Sequence, residues 1–212
     1  MRRRALLLAL AAAGCAEMRQ APPPMPVPLQ AVTPGTADPI RGAIDAMAPA
    51  LAYSARGLAG RPAEAAQAAA QLEFVTAALP RDPRYAPVPE AVRRDLLLAR
   101  AELRDALGVA EDAPPETVVR SLLAAAAALR ARNEARAAAA LPAPMFLPGG
   151  ARSVARLGEL GPLPQGAIAS ANIAQVVARL DATGGWPGGT PGEVSGQLGN
   201  TFGFGAGTSI GY

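Results

Sequence analysis

Apolar residues return every three or four positions from Ile40 to Leu129, the spacing that turns one face of a helix toward a core. Four helices follow from it. The first opens on Asp38-Pro39, an oxygen cap followed by proline at the first helical position. It carries Ile40, Ile44, Met47, Leu51 and Leu58 toward a stop at 57–60. Pro49 stands inside that stripe and deletes one backbone bond, so a kink or break is expected there. The second helix runs over 62–79, with Ala65, Ala69, Leu72, Val75 and Leu79 aligned. In the third, opened by Pro89, Val92, Leu96, Ala99, Leu103 and Leu107 form the buried stripe, and Gly108 supplies a left-handed stop. The fourth starts near 112–114 and continues through Val119, Leu122, Leu123, Ala126 and Leu129 toward Leu141, with Glu116 and Arg120 spaced to pair across one turn. Short connections make neighbours antiparallel. The expected fold class is therefore all-α, a small alanine-rich up-down helical bundle over 39–141.

Proline and glycine shape the flanks. Residues 15–38 include Pro22, Pro23, Pro24, Pro26, Pro28 and Pro34, which predict a disordered Pro-rich tether. As an extended spacer at about 3.1 Å per residue, it would reach roughly 60 Å. Residues 142–182 read as a connector plus a docking helix. A short helical stretch is expected at 151–160 and a last helix at 171–181, capped by Ser170, with Ile173, Val176, Val177 and Leu180 apolar. Phe146 is either a core plug or an exposed hook for a partner. Residues 183–212 form a Gly-rich tail that holds 11 of the 22 glycines and the single Trp, Trp186. Glycine loses the most entropy on ordering, so this tail is expected to be mobile on its own. Over 201–212, Phe202, Phe204, Ala206, Thr208, Ile210 and Tyr212 alternate with glycine and serine, the period of one β-strand. The alternation loosely resembles the closing signal of outer-membrane barrels, but a barrel needs about eight strands. Phe202, Phe204, Ile210 and Tyr212 are thus candidates for binding a partner's sheet edge, the alternative being a low-complexity tail.

The N-terminus has its own pattern. Met1-Arg2-Arg3-Arg4 precedes an apolar run from Ala5 to Ala13, then Gly14, Cys15 and Ala16. A basic head, a short hydrophobic stretch and small residues make an export signal over 1–14. Nine apolar residues are too few to cross a bilayer, which takes about twenty. Ala12-Ala13-Gly14-Cys15 resembles the lipobox of bacterial lipoproteins, with Ala12 where that family prefers Leu. The resemblance implies cleavage between Gly14 and Cys15, and lipidation of Cys15 by diacylglyceryl and palmitate-type chains. It also implies a membrane attachment through that lipid anchor. Ala16, rather than Asp, after the cysteine implies the periplasmic face of the outer membrane. Two other readings remain: ordinary cleavage after Ala11-Ala12-Ala13, leaving a free thiol, and a frayed helix with a buried cysteine. Arg3-Arg4-Ala5-Leu6-Leu7 is partly similar to a twin-arginine signal but lacks the usual preceding Ser or Thr, so both export routes stay open.

Charge narrows the functional classes. All 20 basic residues are Arg, and removal of Arg2, Arg3 and Arg4 leaves 17 against 17 acidic residues. A neutral mature chain with interspersed charges offers no footprint for nucleic acid. There is no His and no Lys, which excludes histidine-based triads, Schiff bases and the P-loop lysine. One cysteine excludes an intrachain disulfide. Glu90, Asp95, Glu102 and Asp105 are the carboxylates available for acid–base work, but they spread around the third helix and read as solvated. Arg93, Arg94, Arg100 and Arg104 read the same way. No catalytic or metal-ligating residue, cofactor site or small-molecule substrate is evident.

These features predict a non-enzymatic cell-envelope lipoprotein with a structural or adaptor role, meeting an envelope protein partner through protein contacts. The alternative is an accessory subunit of an outer-membrane assembly, engaged through its C-terminal strand.

Overall fold

The computed structural model describes Pro23 and residues 25–187. Among them the chain folds into eight α-helices and no strand, an alanine-rich helical bundle. The helices are α1 (Leu29–Val32), α2 (Pro39–Leu51), α3 (Pro62–Ala78), α4 (Glu90–Leu107), α5 (Pro115–Arg130), α6 (Glu134–Ala140), α7 (Gly150–Gly158) and α8 (Pro164–Thr183).

Helix α3 is the axis around which the others pack. It touches α2, α4, α5 and α7, and its most extensive partner is α5. It buries apolar side chains around most of its circumference: Ala63, Ala65, Ala66, Ala68, Ala69 and Ala70 are all buried, together with Leu72, Phe74 and Val75, and Gln71, Glu73 and Thr76 lie among them. A helix hydrophobic all round belongs in an interior. Alanine at those positions lets Ala125, Ala126 and Ala128 of α5 come close, so small side chains here give proximity where large ones would give bulk. The up-down order expected from short loops is thus modified. Helices α4 and α5 follow one another in sequence yet share almost no contact, each packing on α3.

The local signals that start and stop helices act as the sequence predicts in two places. Asp38 caps α2, its Oδ1 accepting the N–H groups of Ile40 and Arg41 at 3.1 Å each. Gly108, at φ 68°, ends α4 in a Schellman pattern: its N–H donates to the Asp105 carbonyl, and that of Val109 donates to Arg104 at 2.8 Å. A Cβ at Gly108 would also run into the Leu147 carbonyl.

Four elements depart from expectation. Helix α2 continues through Pro49 and ends two residues later at Leu51; the proline leaves the Asp45 carbonyl without its N–H partner, so the helix stops within a turn of it rather than running on to 57–60. The apolar stripe then passes into a 3₁₀ segment, Ala52–Leu58, in which Tyr53, Ser54 and Ala55 all adopt left-handed φ/ψ. The fourth predicted helix is two. Arg132 turns at φ 56°, and Asn133 recaps the chain by accepting the Arg136 N–H at 2.9 Å. The last helix begins at Pro164 rather than Ala171, since its cap comes from another helix: Glu102 accepts the N–H groups of Gln165 and Gly166 at 3.2 and 2.9 Å. Finally, the tether is docked from Met25 onward. Met25 and Val32 are buried, and the side-chain amides of Gln67 and Gln71 donate to the Val32 carbonyl at 3.0 Å each.

Phe146 is a core plug. It is buried, and it forms an isolated antiparallel bridge with Val109 that fastens the 142–149 connector to the end of α4.

Candidate functional site

The densest polar constellation gathers where the docked strap reaches α2, where α3 hands over to α4, and where α8 ends. The local sequence Arg81-Asp82-Pro83-Arg84-Tyr85 builds its centre. Asp82 caps a short 3₁₀ turn, accepting the Arg84 N–H at 3.0 Å and the Arg84 guanidinium at 2.6 Å. Arg84 then reaches Asp38 Oδ2 at 3.1 Å, and the Tyr85 hydroxyl donates to that same oxygen at 2.9 Å. Asp38 therefore caps α2 with one oxygen and holds the loop with the other.

One turn into α2, Arg41 binds Asp181 near the end of α8 through two parallel hydrogen bonds of 3.1 and 2.7 Å, and its Nε reaches Asp45. Trp186 closes the figure. Its indole N–H donates to Asp181 at 2.8 Å, and its ring meets Tyr85 edge-on, with centroids 5.4 Å apart. Trp186 and the turn at Gly184 thus belong to the folded body, not to the tail that composition assigns from residue 183.

Electrostatics fix the protonation states. The Arg84 guanidinium holds the Asp82 carboxyl below the usual range, and Arg41 does the same for Asp181. Burial raises Tyr85, and the Asp38 charge adds to it, so the phenol stays protonated. Ionised carboxylates locked to arginines, with a phenol that keeps its proton, suit a clamp better than proton transfer at neutral pH. Two cavities flank the clamp. One of about 270 Å³ is lined by Asp38, Arg41, Tyr85, Asp181 and Trp186, and Arg84 separates it from an apolar one of about 280 Å³ beside Met25, Leu29, Ile40 and Phe74.

A second polar cluster lies in the core. Glu73 of α3 is buried and bound by Arg104 of α4 through both carboxylate oxygens, Nε lying 3.1 Å from Oε2, while Arg104 also donates to the Glu111 carbonyl. Arg104 is thus half-buried and paired, not on a freely solvated face. Glu73 interrupts the apolar run Leu72-Glu73-Phe74-Val75, and that interruption is the signal that would have exposed it.

Of the four carboxylates available for acid–base work, Glu90 and Asp105 are exposed and the other two contact α8. Glu102 caps α8, and Asp95 accepts from the Asn172 amide at 2.9 Å. Glu116 pairs with Arg81 at 3.0 Å rather than with Arg120. Among the described residues, no three potential metal-ligating side chains converge, and no helix is long and apolar enough to cross a membrane. Gly14, Cys15, Phe202, Phe204, Ile210 and Tyr212 lie outside the described residues. No family model, curated protein or solved structure matches the chain.

Proposed function

We propose that this chain is a non-enzymatic lipoprotein of the cell envelope, attached through Cys15 and acting as a structural or adaptor domain. The observation that carries the reading is the order of residues 1–15: three arginines, nine apolar residues, then Gly14 and Cys15. The folded body is consistent with it. Many of its charged side chains form caps, clamps and one internal ion pair that rigidify the domain, and Asp95 and Glu102 are engaged by α8. Lipid attachment adds roughly 0.8 kcal/mol per buried CH₂, so several acyl chains would anchor a neutral domain whose surface has no electrostatic hold on a membrane. Labelled palmitate should enter the wild-type protein and not Cys15→Ser; equal labelling of both removes the anchor. A second reading, engagement of an outer-membrane assembly by the terminal strand, draws on the period-two alternation from Phe202 to Tyr212.

A further inference from the structure

The outer side of α4 carries apolar bulk that a helix facing water ordinarily lacks. Its buried stripe runs from Val92 to Leu107, yet Leu97 and Leu98 flank the opposite face and are 47% and 56% exposed. Helix α8 lies beside it and adds Ile168, 50% exposed. From Pro164 to Ala178, α8 holds no charged residue, although its outer face is open. A surface helix usually sets charge on that face. The two helices run antiparallel, their register fixed by Glu102 at the Gln165 and Gly166 N–H groups and by Asp95 at the Asn172 amide. Leu98 lies between Asp95 and Glu102, and Ile168 between Gly166 and Asn172, so both stand on one seam.

The outermost ridge of α4 is Arg94, Leu98, Ala101 and Asp105, all exposed and spaced three or four residues apart. Among the described residues, neither Arg94 nor Asp105 has an ion-pair partner. They stand about 16 Å apart along the helix axis, too far to meet within one molecule. An antiparallel copy of α4, centred between Leu98 and Ala101, satisfies both. Arg94 then meets the copy's Asp105, Leu98 meets its Ala101, and two-fold symmetry repeats each contact. Sliding the copies by one turn would set Glu90 or Leu98 against Asp105, so charge selects a single register. Helix α8 supplies an independent check. Its register on α4 places Ile168 level with the midpoint of Leu98 and Ala101, so the same axis brings the two Ile168 side chains together. We infer that the α4–α8 face is the surface on which this protein pairs with a second copy of itself, as a closed two-fold dimer. Two helices from each copy make a small interface, so a dissociation constant in the micromolar range is expected. The pairing needs no lipid on Cys15.

Sedimentation equilibrium of the full chain carrying Cys15→Ser, where neither lipid nor native thiol contributes, reads the association. Dimer should form as concentration rises, and assembly should stop there because a two-fold contact uses up its own surface. Arg94→Asp sets carboxylates against each other at both ends of the ridge and should weaken the dimer about tenfold or more. Arg94→Asp with Asp105→Arg exchanges the charges and should return the affinity to near wild type. In the same background, Ile168→Cys should cross-link into a covalent dimer under copper–phenanthroline oxidation, whereas Glu134→Cys, at an exposed site on α6, should not. Helical circular dichroism checks that each variant folds. A chain that stays monomeric at a few hundred micromolar overturns the inference, whether the face is bare or another segment of the chain lies on it. A double reversal as weak as the single one overturns it too, as does equal cross-linking from both cysteine variants.

Discussion

Glu73 is buried among mainly aliphatic and aromatic side chains, and the half-buried Arg104 brings the opposite charge to it. Desolvating both ions costs several kcal/mol, which the two-pronged geometry and the Glu111 carbonyl offset. The pair therefore contributes little net stability, while half of it would be costly. Glu73→Ala should destabilise the domain by about 3–5 kcal/mol, and Glu73→Leu with Arg104→Met should lie near wild type or above it. Urea denaturation of the three proteins decides this, and a double variant as weak as the single one would show that packing, not charge, is at stake. At this scale the sequence is legible only where a side chain acts on its own neighbourhood. Asp38 could be read as a cap, but its second oxygen serves Arg84 and Tyr85, 46 and 47 residues away. Periodicity carries no trace of such a bond.

The helices themselves were readable because their stripes and stops are local. Val92, Leu96, Ala99, Leu103 and Leu107 are buried as their spacing requires, and Gly108 stops the helix they form. The start of α8 was hidden for the opposite reason: Glu102, sixty-odd residues upstream, supplies what Ser170 was expected to supply. The turn after α2 was hidden too. Nothing in Tyr53-Ser54-Ala55 advertises three successive left-handed residues, each of which costs an L-residue roughly 1–2 kcal/mol. They hold because the turn is tied down, the Ser54 carbonyl accepting the Leu163 N–H at 3.1 Å. Ser54→Gly should therefore relieve strain and, after the extra entropy glycine loses on folding, stabilise by about 1 kcal/mol. The urea midpoint should rise; a fall would mean that the left-handed turn is not the resting conformation.

For the molecule as a whole, composition misplaced the borders between body and flanks at both ends. Proline and glycine mark loose chain by composition, but Met25–Asp38 is packed by Val32 and clamped by two glutamines, and Gly184 is simply the stop of α8. Tertiary contacts overrode a compositional cue. Truncation tests the revised border. A chain ending at Pro187 should melt at the same temperature as the full protein, whereas one ending at Gly185 loses the Tyr85–Trp186 contact and the indole bond to Asp181. That loss should lower the melting temperature by roughly 2–4 °C for each kcal/mol removed. If the terminal strand engages a membrane partner, the Pro187 truncation should also abolish co-purification while its melting stays unchanged. Equal melting of both truncations would return Trp186 to the tail.

The indole of Trp186 sits half-buried against a phenol and a carboxylate, at the junction of strap, loop and last helix. Because no other indole competes with it, its emission colour and quenching follow that junction alone, largely deaf to events elsewhere in the domain. The protein thus carries an intrinsic optical gauge, in place without any dye, of whether its two flanking segments are gathered together or have let go of each other.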